Sequence, residues 1–227
     1  MNTSLILLAG GIGTRMHQPV PKQYLLLAGK PVIMHTLERI DLIDQISEVI
    51  IVCNEKYRSL LDGYISSYML RKKYTFVEAG STRQQSVYNG LKYVTSDSVI
   101  IHEAARPFVK KDDFEKLLNH KDENITFAID IPFTVLKAGE YINGILVRKE
   151  LINVQLPQKF NTASLILGHN KAMEDNLTFT EDSSLVFHYG LGPVKVIRGN
   201  SYNIKLTEPI DLLIGEVIYK EYFSGRD

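Results

Sequence analysis

Short apolar runs, each closed by glycine or polar residues, recur along the chain at residues 5–8, 49–52, 74–77, 99–101, 126–129 and 194–197. None shows the polar alternation of a half-exposed strand, so each predicts a strand covered on both faces. Helix-length segments lie between them, at roughly 32–39, 55–70, 84–93, 112–119 and 163–174. Around the third of these, Val87, Leu91 and Val94 recur at helical spacing. Strands alternating with helices predict an α/β fold: a mostly parallel, Rossmann-like sheet in a three-layer sandwich, with ligands held beyond the carboxyl ends of the strands. On that rule the turn at Gly10, the turn at Ala79-Gly80 and the pair His102-Glu103 all meet at one rim. Residues 136–156 break the rhythm, because Gly139 and Gly144 divide them into short extended pieces. They predict a β-hairpin arm projecting from the sheet, although a plain surface hairpin has the same pattern. After Thr207-Glu208-Pro209 a closing helix is expected, with Thr207 as its N-cap.

Composition narrows the class. The chain has 227 residues, 44% of them hydrophobic, which suits one domain spanning 1–227 with a sizeable core. Lys plus Arg equals Asp plus Glu at 26 each, so the broad basic field of a nucleic-acid binder is missing. A local cationic pocket for a small anion is still allowed. Cys53 is the single cysteine, which excludes an internal disulfide and a multi-cysteine zinc site and fits a reducing, cytoplasmic setting. At the end of an apolar run, it reads as a buried, inert thiol. The first apolar stretch meets Gly10 too soon for a signal peptide or a membrane span, and the six histidines show no metal-ligand spacing.

The chemistry concentrates in residues 8–24. Gly10, Gly11 and Gly13 follow the first strand, and a turn without side chains lets backbone N–H groups approach anionic oxygens. Two familiar phosphate loops are excluded. The dinucleotide fingerprint needs Gly or Ala where Met16 stands, and the kinase-type loop needs Ser or Thr where Pro31 follows Gly29-Lys30. Arg15 and Lys22 supply positive charge, though either alone is the ordinary surface cation. Glu103, in Ile-His-Glu-Ala-Ala-Arg-Pro, would face this phosphate pocket, which is costly unless a cation such as magnesium intervenes. An ion pair with Arg106 is the simpler alternative. The loop from Ala79 to Val87 is suited to a base, ribose or phosphate, and is also an ordinary capped helix start.

Along the chain stand Leu-Ala-Gly-Gly-Ile-Gly-Thr-Arg-Met, Pro-Lys-Gln-Tyr, Arg-Gln-Gln-Ser-Val-Tyr-Asn-Gly-Leu, His-Glu-Ala-Ala-Arg-Pro, Pro-Gln-Lys-Phe, Glu-Asp-Ser-Ser and Tyr-Asn-Ile-Lys-Leu-Thr-Glu-Pro. In that order they resemble, almost end to end, the cytidylyltransferases that make CDP-polyols, which act on 2-C-methyl-D-erythritol 4-phosphate or on ribitol 5-phosphate. The resemblance implies a sandwich of the nucleotide-diphospho-sugar transferase type. It implies CTP binding by Ala9, Gly10, Gly11, Gly13, Gly80 and Ser86, with Arg15, Lys22 and Lys205 as the catalytic cations on the triphosphate. Glu103 falls where the family's magnesium-binding Asp sits, and Arg106, Thr134 and Arg148 fall on positions that hold the polyol phosphate. It also implies a homodimer formed through the arm, so that Thr134 and Arg148 serve the partner's site.

Three positions depart from the family pattern. Glu103 replaces Asp, Phe133 stands where an acidic residue commonly precedes Thr134, and Leu156 replaces the Thr usual before Pro-Gln. The expected acceptor is methylerythritol phosphate, which the motifs at 83–87 and 104–107 favour; the alternative is ribitol 5-phosphate or another polyol phosphate of teichoic acid or capsule, which 147–150 and 202–205 favour. A nucleotide-binding protein that has lost catalysis is the third reading.

Overall fold

The computed structural model describes residues 2–16 and 18–225. Its central sheet comprises β1 (Thr3–Leu8), β2 (Ile46–Cys53), β3 (Lys73–Glu78), β4 (Ser98–Glu103), β5 (Ile125–Asp130), β6 (Ile152–Asn161) and β7 (Lys195–Arg198). The strand order is β7-β5-β6-β4-β1-β2-β3. Neighbouring strands run parallel except at β6, which is antiparallel to both β4 and β5.

The unbroken apolar runs have a direct physical reason. Side chains alternate between the faces of a strand, and here both faces are covered. Leu5 and Leu7 pack with α1 (Val32–Asp41), α2 (Arg58–Ser67) and α4 (Lys111–Leu118) through Met34, Leu37, Leu61 and Phe114. Ile6, between them, packs with α3 (Arg83–Leu91), α5 (Thr162–Glu174) and α6 (Asp182–His188) through Val87, Leu91, Leu165 and Leu185. Each such side chain, fully buried, contributes about 1.5–3 kcal/mol. The last helix, α7 (Pro209–Tyr222), joins a smaller cluster containing Leu27, Val32, Phe108 and Leu206.

Three expectations need correction. The segment expected as an arm gives up its last residues, 152–156, to β6; the hairpin itself is confined to Leu136–Ala138 paired with Ile142–Ile145. That strand has no clean apolar signature because its buried glutamines are hydrogen-bonded: Gln155 donates to the Asn200 carbonyl (2.9 Å) and Gln158 to Thr126 Oγ1 (2.9 Å). Pro157 sits where the β6–β5 register shifts between Gln155 and Gln158, a place that asks for no ladder donor. Secondly, the helix expected over 55–70 is a 3-10 turn, Glu55–Tyr57, followed by α2. Thirdly, Glu208 and not Thr207 caps α7: Pro209 takes the first helical position, and Asp211 accepts from the N–H groups of Thr207 (2.7 Å) and Glu208 (2.8 Å).

Register places the functional rim. Leu8 lies level with Val52 on one side and Glu103 on the other, and Cys53 lies level with Glu78. The loops after β1, β3 and β4 therefore leave the sheet at the same height.

Candidate active site

The glycine turn is shaped by three different constraints. A Cβ on Gly10 would come 2.3 Å from the Ala79 Cβ, so glycine there lets the loops after β1 and β3 touch. Gly13 has φ +67°, the left-handed region that glycine occupies without strain. Gly11 has neither constraint, since nothing lies within 4 Å of its would-be Cβ. Its bare backbone faces open space. The N–H groups of Gly10, Gly11 and Gly13 donate to no described residue, which leaves them available to an anion.

The Pro-Lys-Gln-Tyr segment locks that turn in place. Gln23, buried, donates to the carbonyls of Ala9 (2.5 Å) and Gly11 (3.0 Å), while Tyr24 is buried against Tyr57 with ring centroids 4.7 Å apart. Lys22 is thereby held beside the glycines with its side chain buried. Burial, followed by the charge of Lys205, lowers the Lys22 pKa to about 8. A buried ammonium that pairs with no carboxylate of the described residues is poised to meet an anion.

The second loop enters through Gly80, whose would-be Cβ would lie 2.5 Å from the Gln85 Cβ. Thr82 caps α3 by accepting from the Gln85 N–H (3.0 Å). Ser86 Oγ accepts from the Gly80 N–H (3.0 Å) and donates to the Thr82 carbonyl (2.9 Å), so this hydroxyl fixes the loop.

Glu103 ends β4, buried, with three cations around it. Lys205 Nζ is 3.0 Å from Oε1, Arg83 Nε is 3.4 Å from Oε1, and Arg106 Nε is 3.4 Å from Oε2. Burial pushes its pKa up, but the charges of Lys205, Arg106 and Arg83 outweigh that and hold it at about 2. The ion pair with Arg106 anticipated from the sequence is present, as one of three. Arg106 also donates from Nη1 to the Asn203 carbonyl (3.0 Å).

These groups line one cleft of about 370 Å³ between the glycine turn, the Gly80–Ser86 loop, Glu103 and Lys205. That lies in the size range of small-molecule sites. Of the residues expected from the sequence, Ala9, Gly10, Gly11, Lys22, Gly80, Ser86, Glu103 and Lys205 line it. Gly13 shapes the turn, and Arg15, in the one-turn helix Thr14–Met16, is exposed beside it. Arg106 pairs with Glu103 and is not among the residues that line the cleft. Thr134, just before the arm segment, and Arg148, on it, are exposed and are not brought into their own chain's cleft. Of the departing positions, Phe133 is exposed, whereas the Leu156 side chain belongs to the core.

Two functional residues escape sequence reasoning. Arg83 lines the cleft and reaches Glu103 on one side and Asp182 on the other (Nη2 to Oδ2, 2.8 Å). Its signal was a cation in the first turn of a helix entered from a glycine loop, an unfavourable place for one unless anions lie nearby. Gln23 clamps the turn, and nothing local distinguished it from a surface glutamine.

Comparison with known proteins gives the family. The family model for 2-C-methyl-D-erythritol 4-phosphate cytidylyltransferase (IspD) matches residues 3–221. The chain belongs to that family. A cytidylyltransferase of that name from Geobacillus kaustophilus is 35% identical over 222 residues, covering 96% of this chain and 97% of the relative. A chloroplastic one from Oryza sativa subsp. japonica is 34% identical over 226 residues, covering 97% of this chain and 75% of the relative. Among solved structures, the 4-diphosphocytidyl-2C-methyl-D-erythritol synthase of Anaerococcus prevotii superposes with a TM-score of 0.85 at 26% identity, covering 96% of each chain. The Thermus thermophilus family member superposes with a TM-score of 0.78 at 25% identity, covering 97% of this chain and all of that one. The cleft assembled here is thus set in a fold shared, almost end to end, with members of this cytidylyltransferase family.

Proposed function

We propose that the protein transfers the CMP unit of CTP to 2-C-methyl-D-erythritol 4-phosphate, releasing pyrophosphate and forming the CDP-polyol of isoprenoid precursor synthesis. The observation that carries the reading is the meeting of Lys22, Lys205 and glycine N–H groups that donate to no described residue around one cleft, in a chain of this family. A phosphomonoester is largely dianionic at neutral pH, its second pKa being about 6, so it attacks the α-phosphorus without a protein base. The protein's task is to hold two anions in line and stabilise the charge that develops on the α-phosphoryl group and the departing pyrophosphate. Lys22, Lys205 and Arg15 supply that charge. The glycine N–H groups and Gly80 hold the nucleotide, with Ser86 fixing the loop. Arg106 meets the acceptor's phosphate, together with Thr134 and Arg148 from the arm of a second subunit.

Glu103 is the carboxylate that would hold a magnesium ion at the cleft wall, in place of part of the positive charge that Lys205, Arg83 and Arg106 now give it; magnesium typically takes one or two carboxylates and completes its shell with phosphate and water. When bound, it would draw charge from the triphosphate oxygens. We place the enzyme in the cytoplasm as a homodimer that needs neither nucleic acid nor membrane.

The names of the family and of the relatives above favour methylerythritol phosphate over ribitol phosphate as acceptor. The test is pyrophosphate release by the purified protein with CTP, magnesium and a panel of methylerythritol, ribitol and glycerol phosphates. Turnover is expected with methylerythritol phosphate at a kcat/KM at least tenfold above the others, a preference that one or two hydrogen bonds can supply. Preference for ribitol phosphate would overturn the acceptor; CTP binding without product from any of them would overturn catalysis.

A further inference from the structure

Arg83 stands between two carboxylates. Its Nε faces Glu103 Oε1 at 3.4 Å and its Nη2 faces Asp182 Oδ2 at 2.8 Å, and its side chain is 21% exposed against 2% for that of Asp182. Asp182 has a further partner, because its Oδ1 lies 3.2 Å from His169 Nε2, also buried. His169 is held on α5 and stacks on Tyr88 of α3 with centroids 6.1 Å apart. Four ionisable side chains from β4, α3, α6 and α5 thus form one line, and only its Arg83 and Glu103 end opens on the cleft.

Resting on the transferase reading above, we propose that Asp182 and His169 are positioning residues for the reaction, acting through Arg83 on Glu103. A line of buried charges is a poor device for stability alone, since apolar side chains of the same volume serve as well or better. It is a good device for aiming a guanidinium. The planar fork reaches two carboxylates at once in a way that a lysine ammonium cannot. Glu103 Oε1 is shared between Arg83 and Lys205, the same lysine that serves the triphosphate. Anchored by Asp182, Arg83 gives Glu103 only its Nε edge. Released, it is free to turn its whole fork to Glu103 and draw that carboxylate away from Lys205. His169, as the second partner of Asp182, fixes which oxygen faces Arg83. The relay therefore sets how firmly Lys205 is tethered before the nucleotide arrives.

The test is a set of variants, Asp182→Asn, His169→Gln, Arg83→Gln and the double variant Arg83→Gln with Asp182→Asn. Turnover is expressed per folded site, counted by the stoichiometry of CTP binding in calorimetry without acceptor. Asp182→Asn is expected to lower kcat about tenfold or more, as loss of a group orienting a reactive ligand typically does, while the KM for CTP moves less than about threefold. His169→Gln, which still donates to Asp182, is expected to lose less than Asp182→Asn. In the Arg83→Gln background, Asp182→Asn is expected to lower kcat no further and to raise the melting temperature, because it removes a buried carboxylate left without its cation. A purely structural role gives a different pattern: a lower melting temperature for Asp182→Asn with wild-type kcat per site. That result, or an undiminished effect of Asp182→Asn in the Arg83→Gln background, overturns the proposal. Should Arg83→Gln not fold, Asp182→Asn and His169→Gln decide it by the same kcat-per-site criterion.

Discussion

At the scale of single residues, Lys22 combines a cost to the fold with a gain to the chemistry. Its pKa, lowered by burial and by Lys205 to about 8 from an ordinary 10.5, means that the native protein holds this proton less tightly than the unfolded chain. Stability contributed through Lys22 therefore rises with pH between those two values, and below about 8 the buried charge weighs on the fold in full. Lys22→Met keeps the buried stem and removes the charge. It is expected to raise the melting temperature at neutral pH while cutting turnover about a hundredfold or more, the loss typical of one transition-state donor; a scanning melt and a pyrophosphate assay check both. The same shift predicts that kcat/KM for CTP, which reports the free enzyme, falls as pH rises through about 8. Lys22→Arg, always charged, is expected to give a lower but level profile to about pH 9.5. The glycines divide in a parallel way. Gly11→Ala meets no atom and should fold normally yet weaken CTP binding, whereas Gly80→Ala drives a Cβ into Gln85 and should lower the melting temperature first; calorimetry beside thermal melts separates the two outcomes.

Among the elements, legibility followed burial symmetry. β1, β2 and β4 are buried on both faces, and their sequences show unbroken apolar runs; the runs at 74–77 and 194–197 look the same, yet β3 and β7 are the sheet's edge strands and are only partly covered, against the expectation of burial on both faces. β6 is buried as well, yet Gln155, Gln158 and Lys159 lie within it because each finds a partner supplied by distant segments: Asn200, Thr126 and His120. No local pattern announces such partners, and so the strand was hidden inside an expected arm. α6 was missed for a similar reason, being short and started by the acidic motif Glu181-Asp182 rather than by an apolar stripe. Of the site, the glycine turn, Lys22, Glu103 and Lys205 were legible because each belongs to a contiguous motif. Arg83 and Asp182 owe their pairing to α3 and α6 approaching across the fold, which spacing along the chain does not encode. The α6 cap carries a prediction of its own. Glu181 accepts from the N–H groups of Ser183 (2.9 Å) and Ser184 (2.5 Å) and from the Gln158 side chain (2.9 Å). Glu181→Ala should therefore lower unfolding free energy in urea by about 1–3 kcal/mol, a lost cap together with a buried amide left short of a partner. A change below about 0.5 kcal/mol would mean that α6 needs no cap from Glu181.

For the whole molecule, the proposed homodimer predicts that the arm of one subunit completes the cleft of the other. Thr134 and Arg148 are exposed and absent from the lining of their own chain's cleft, and the hairpin beside them presents Tyr141, Ile142 and Ile145 to solvent. Exposed apolar groups of that size on a two-stranded hairpin, which is marginally stable by itself, are best covered by a second copy. In an isologous pair each arm would reach across, so a complete site would draw Lys22 from one subunit and Arg148 from the other. Arg148→Ala is expected to raise the KM for the acceptor more than the KM for CTP, since it removes the proposed phosphate contact and leaves the donor loop intact. The decisive arrangement mixes that variant with Lys22→Ala. If arms exchange, the mixed dimer holds one site with neither change and one with both. Random reassociation of equal amounts then restores about a quarter of wild-type turnover at low acceptor concentration, half the dimers being mixed with one good site each. If each arm serves its own cleft, every site in the mixed dimer carries one of the two changes, and mixing restores nothing beyond the average of the two variants. Light scattering on the same samples establishes that dimers form, and capture of one variant through an affinity tag carried by the other establishes that they exchange, so a failure to mix is not mistaken for an arm that stays at home.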